Sequence, residues 1–222
     1  MSDSHTKAKV GVFDSGIGGL SVANAIRQAL PELEVVYVND ATHVPYGTKS
    51  PEELFGFVLP ILQKLVDDGC KTIVVACNTV STTIIDELRR AISVPLIAME
   101  PMVKPAAEQT KSNTIAVCAT PTTLASKRYA WLKETYAQDV KTLEPDCTEW
   151  STMIESNQVN HKRIEQQIHD VCEAGADVIV LGCTHYHWIE QEIRETAKGK
   201  ALVLQPEQPV ITQLRRVLEQ LS

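Results

Sequence analysis

Two cysteines in this 222-residue chain share one context. Cys77 follows the apolar run Thr72–Ala76 and precedes Asn78 and Thr79, while Cys183 follows Asp177–Gly182 and precedes Thr184 and His185. A thiol acts as base or nucleophile through its thiolate, and a helix N-terminus or a nearby donor favours that form. Each cysteine precedes a helical pattern, so each sulfur is expected near a helix start. Lowering a thiol from its free pKa of about 8.5 to about 7 takes roughly 2 kcal/mol. His185 can orient the second thiol, relay its proton or hold it as thiolate. Two such groups facing one substrate would place an acid on one side and a base on the other.

Other chemistries compete for the same residues. A buried core cysteine is the plain reading of Cys77, since free cysteine is among the most buried residue types, but the polar pair behind it favours a ligand site. Cys183 and His185 also suit a nucleophile and its base, a reading that leaves Cys77 unexplained. Cys183, His185 and His187 offer three metal ligands in five residues, but their spacing fits no zinc signature, so no metal is expected. Cys70, Cys118, Cys147 and Cys172 lack polar neighbours of this kind and are assigned structural roles. The loop Asp14-Ser15-Gly16-Ile17-Gly18-Gly19 is similar to a phosphate loop, whose amides cradle anions at a helix start. Ser21 replaces the third glycine of a dinucleotide fingerprint, and no Gly-Lys-Ser/Thr is present. An amide-lined carboxylate pocket fits as well, with Asp14 pairing with an ammonium or assisting a thiol; a plain turn into a helix is the remaining reading.

The elements that must hold these residues alternate strand and helix. Strands are predicted at 9–13, 35–38, 72–76 and 94–98, and again at 114–118, 140–143, 177–181 and 201–204. Leu20, Val22, Ala23, Ile26 and Leu30 follow helical spacing after the first loop. Further helices are predicted over 51–68, 81–91 and 210–221. β-branched runs of this kind read as buried parallel strands, and residues just past their C-terminal ends line the ligand crevice. The pattern predicts an α/β protein of two similar doubly wound domains with mainly parallel sheets and the active site in the cleft between them. The first domain takes 1–98 plus 207–222 and the second takes 99–206. Glu100-Pro101 and the segment 205–209 read as the crossings. The cysteine spacing, about half the chain, points to an ancestral duplication.

Composition narrows the function. A formal charge of −7 without a basic cluster argues against nucleic acid or an anionic membrane as partner. No apolar stretch approaches membrane-spanning length, and the start Met1–Lys9 is polar, so a cytoplasmic protein is expected. A chain of this length with an ordinary core needs no disulfide framework.

Four segments resemble the cofactor-independent aspartate/glutamate racemase family, in family order and over nearly the whole chain. They are Gly11–Val22, Val44–Ser50 with Pro45-Tyr46-Gly47, Val75–Thr79 and Leu181–Tyr186. The resemblance implies two catalytic cysteines, Cys77 and Cys183, with Asp14 assisting the first and His185 the second. It implies a carboxylate in the second domain, for which Glu155 is the best positional match. It places Asp14, Ser15, Pro45, Tyr46, Gly47, Asn78, Thr79, Thr120, Thr123 and Thr184 around the substrate's carboxylates and ammonium. The implied activity is interconversion of L- and D-glutamate without a cofactor, supplying D-glutamate for peptidoglycan, by a homodimer. Aspartate or hydantoin racemisation, or a weakly active regulatory homologue, are the alternatives. The chain departs from the family pattern at Ala119-Thr120, at His187 and at Gln205-Pro206-Glu207.

Overall fold

The computed structural model describes residues 7–221; the first six residues of the polar start, and Ser222 of the first-domain assignment, lie outside it. Strands β1 (Lys9–Asp14), β2 (Glu34–Asn39), β3 (Thr72–Val75) and β4 (Leu96–Ala98) form one parallel sheet in the order β2-β1-β3-β4. Strands β5 (Thr114–Ala119), β6 (Lys141–Leu143), β7 (Val178–Gly182) and β8 (Leu202–Leu204) form a second parallel sheet in the order β6-β5-β7-β8. The inner strands are buried almost throughout and the outer ones are partly exposed, as a sheet covered on both faces requires.

The helices are α1 (Gly19–Ala29), α2 (Pro51–Asp67), α3 (Asn78–Thr83), α4 (Ile85–Ala91), α5 (Val103–Gln109), α6 (Pro121–Leu124), α7 (Lys127–Tyr136), α8 (Trp150–Glu155), α9 (His161–Glu173), α10 (Glu190–Thr196) and α11 (Glu207–Leu221). Successive side chains of a strand point to opposite faces, so each sheet builds two cores. Val10 and Val12 of β1 pack with Val22 and Ile26 of α1 and with Val210, Ile211 and Leu214 of α11. Phe13 of the same strand packs with Leu54, Val58 and Leu62 of α2 and Leu88 of α4. In the second sheet Ile179 and Leu181 meet Trp150, Ile168 and Ile193, while Val178 and Val180 meet Val103, Tyr129 and Leu132 on the other side.

Three boundaries differ by two residues or more from those the sequence predicts. The helix expected over 81–91 begins at Asn78 and is interrupted at Ile84, which leaves the helical region at φ −130° and ψ 11°. The last helix begins at Glu207 rather than at 210, because Pro209 in a first turn removes only an N–H that has no helical partner. The strand expected over 94–98 begins at Leu96. Helix α2 starts where its sequence says it should. Ser50 caps it through a reciprocal pair with Glu53, and Pro51 sits in the first turn.

Candidate active site

In each sheet the chain winds outward in both directions from a middle pair, β1–β3 in one and β5–β7 in the other. Loops diverge at such a pair and leave a crevice at the strand ends. The two crevices share one cavity of about 370 Å³, within the roughly 300–1,000 Å³ usual for small-molecule sites. Ser15, Pro45, Tyr46, Gly47, Cys77, Asn78 and Thr79 line it from the first half of the chain, and Thr120, Glu155, Cys183, Thr184 and His185 from the second. Both sequence-derived thiols therefore face the same space.

The two halves differ in what surrounds the sulfur. Cys77 caps α3 in an extended conformation, and its thiol donates to Ser15 Oγ at 3.4 Å. Burial, reinforced by the Asp14 carboxylate behind it, pushes this thiol up to about 12. That runs opposite to the lowered pKa expected from a helix start. The six-residue α3 offers too little positive potential to offset burial beside an acid. Cys183 is followed by a 3-10 segment, Thr184–Ile189, rather than by an α-helix. Its sulfur lies 3.7 Å from His185 Nδ1, and His185 Nε2 lies 2.7 Å from Glu155 Oε1. Burial pulls the imidazole pKa down, but hydrogen bonds to Cys183 and Glu155 and the charge of Asp14 outweigh it, and the ring is pushed up to about 11. His185 is thus an imidazolium at neutral pH, and its hydrogen bond holds the Glu155 carboxyl below the usual range.

The glycine loop after β1 is filled by the chain's own acids. Asp14 Oδ2 accepts the N–H groups of Gly19 at 2.8 Å and Gly16 at 3.3 Å, and Glu155 Oε1 accepts that of Ile17 at 2.8 Å. These amides are engaged, so the loop is not the anion cradle its sequence allowed. Burial raises the Asp14 pKa, and the His185 charge and these amides oppose the shift. The glycines serve close approach instead. A Cβ on Gly16 would overlap the Glu155 carboxylate, and one on Gly18 would meet the Thr184–His185 backbone. Thr184 completes this contact by donating to Asp14 Oδ1 at 3.2 Å.

Comparisons with known proteins give the family. The family model for Asp/Glu/hydantoin racemases matches residues 15–213. The chain belongs to that family. A glutamate racemase of Pseudomonas paraeruginosa is 41% identical over 216 residues, covering 95% of this chain and 82% of its own. The crystal structure of Escherichia coli glutamate racemase, in complex with L-glutamate and the activator UDP-MurNAc-ala, superposes with a TM-score of 0.88 at 27% identity, covering 96% of this chain and 83% of that one. That of Francisella tularensis, in complex with D-glutamate, gives 0.79 at 28% identity, covering 96% and 82%. The chain is accordingly an amino-acid racemase, an isomerase, with the two-domain α/β fold of its relatives.

Within this racemase the structure sorts the residues singled out in the sequence. Asp14 and Thr123 stand one layer behind the cavity wall. Asp14 is turned to its own loop, with Ser15 rather than Asp14 bonded to the Cys77 thiol. Thr123 accepts from Thr120 Oγ1 at 3.0 Å. Thr79 and Thr120 join the halves through hydroxyls 3.1 Å apart, and Thr122 donates to the Gly47 carbonyl. The Tyr46 hydroxyl donates to Asp40 at 2.7 Å and is engaged within the first half of the chain. Both amide atoms of Asn78 are buried without a protein partner, a donor and an acceptor left for a ligand. Sequence reasoning missed Val44, Ser151, Thr152 and Ser156 in the wall. Ser151, Thr152, Glu155 and Ser156 fall on one helical face, and that spacing was the available signal.

Proposed function

We propose that this racemase interconverts L- and D-glutamate through Cys77 and Cys183 acting as opposed acid and base, without a cofactor. The observation that carries this reading is the pair of thiols, one beside the middle strands of each sheet, lining one cavity. The relatives named above are glutamate racemases, and two of their structures hold L- or D-glutamate. Among the described residues no Lys or Arg lines the cavity, so the substrate's carboxylates are held by hydroxyls, by the Asn78 amide and by backbone N–H groups.

In this reading the His185 imidazolium supports Cys183 as thiolate, which removes the α-proton from L-glutamate. Cys77, held as a thiol, returns a proton to the opposite face and yields D-glutamate. The reverse direction needs Cys77 ionised, and the substrate ammonium brings the positive charge that this half lacks. The carbanion is stabilised by hydrogen bonds to the α-carboxylate in a cleft closed by the Glu155–Ile17 and Thr184–Asp14 contacts. In this reading the product supplies peptidoglycan synthesis in the cytoplasm.

Circular dichroism of L- and D-glutamate and L- and D-aspartate with enzyme prepared without additives tests the reading. The expected result is decay of the glutamate signal from either enantiomer, unchanged by a chelator. Turnover that depends on added pyridoxal phosphate or zinc, or that is confined to aspartate, would overturn it.

A further inference from the structure

His187 has no part in the chemistry above, yet its ring is nearly buried between two carboxylates. Nδ1 lies 3.2 Å from Glu190 Oε2, and Nε2 lies 3.1 Å from Glu207 Oε1. The second contact is at ion-pair distance but off the hydrogen-bond line. Glu190 opens α10, and its other oxygen accepts from Arg194 Nε at 2.6 Å. The hydrogen bonds from His187 and Arg194 hold this carboxyl below the usual range. Glu207 opens α11, which belongs to the second half in sequence but buries Val210, Ile211 and Leu214 against α1 in the first.

The segment Thr184–Ile189 therefore meets the helices of the first sheet at two places. The Gly18 backbone, just ahead of α1, packs against Thr184 and His185. Glu207, at the head of α11, meets His187. Cys183 and His185 are placed by this one short segment, and three-residue turns are a weak support without tertiary contacts. An imidazole suits the task. Its two nitrogens lie at a fixed separation on a short side chain, so it sets the spacing of its two partners more rigidly than a lysine would.

We propose that His187 is a positioning residue for Cys183 and His185, tying the catalytic segment to α11 through Glu207 and to α10 through Glu190. The inference rests on the two-thiol reading. Misplacement of about 1 Å far from the reacting atoms costs up to about 10²-fold, so a loosened segment lowers turnover without removing a binding group.

The test uses the full chain with His187→Gln, Glu207→Gln and the double variant. Each single variant is expected to lower kcat for glutamate about tenfold with KM within about twofold, the split expected when a catalytic group is misplaced rather than a ligand lost. The double variant should be no slower than the slower single one, because both changes break one contact. Iodoacetamide labelling followed by peptide mapping should show a changed rate at Cys183, by about threefold or more, with Cys77 unaltered. Singles within about twofold of wild type in kcat, multiplicative losses in the double variant, or equal changes at both thiols would overturn the proposal. So would a lower melting temperature with unchanged kcat. Should His187→Gln fail to fold, Glu207→Gln carries the test alone. A wild-type protein that does not racemise glutamate would sink the function and leave the labelling comparison, which needs no turnover, to judge the segment.

Discussion

Cys77 follows β3 and Cys183 follows β7, each beside the middle pair of a four-stranded parallel sheet, and there the equivalence stops. Around Cys77 there is a hydroxyl from Ser15, deep burial and an acid one layer behind. Around Cys183 there is partial exposure and a His185–Glu155 ion pair that brings fixed positive charge to the sulfur. Topology repeats positions, whereas charge depends on single residues that the two halves do not share. The lesson is that a repeated strand end can place two like groups on one cavity and still give them unlike electrostatic surroundings.

Removing either thiol attacks this comparison most directly. Cys77→Ser and Cys183→Ser should each slow racemisation in both directions by about 10²–10⁴, the usual worth of a positioned acid or base. Solvent deuterium should still enter D-glutamate in Cys183→Ser and L-glutamate in Cys77→Ser, as read by NMR. Near-normal racemisation by Cys77→Ser, with a substrate adduct on Cys183 by intact mass, would replace the two-base reading with covalent catalysis. A smaller loss is expected from Gly16→Ala. Its methyl would displace Glu155 from His185, and kcat should fall by about 10- to 100-fold with the melting temperature lowered as well. Unchanged kcat in that variant would show that the ion pair tolerates separation.

The mildest test concerns pH and stability. His185 is raised from 6.5 unfolded to about 11 folded, so its contribution is fully present below about pH 6.5 and is lost as pH rises through about 11. The urea midpoint of wild type should exceed that of His185→Asn most at pH 6, and the gap should narrow steadily towards pH 11. A gap independent of pH would mean that the ring is not held as an imidazolium.

Much of this arrangement was legible in the chain. The runs 72–76 and 177–182 are β-branched and apolar, which marks inner strands of a parallel sheet whatever the rest of the protein does. The residues that follow such strands must then lie at a crevice. Charge was less legible. The shift at Cys77 comes first from burial and then from Asp14, 63 positions earlier, whose carboxylate is turned by the amides of Gly16 and Gly19. The glycine loop read as an anion site because its amides point inward; that internal acids occupy them becomes evident only when Glu155 arrives from the other half. The break at Ile84 follows from no spacing rule, while the start of α11 at Glu207 was open to a reading that allows Pro209 in a first turn.

Among the described residues the cavity wall carries neither Lys nor Arg, and this bears on how a substrate arrives. Counterions gather around unpaired cations, and displacing them makes binding sensitive to ionic strength; the His185 ring, already paired with Glu155, gathers few. The chain's net charge of −7 offers an anionic amino acid no long-range attraction either. Capture therefore depends on fit at contact distance, and added salt, by screening the repulsion between a net-negative chain and an anionic substrate, does not slow encounter.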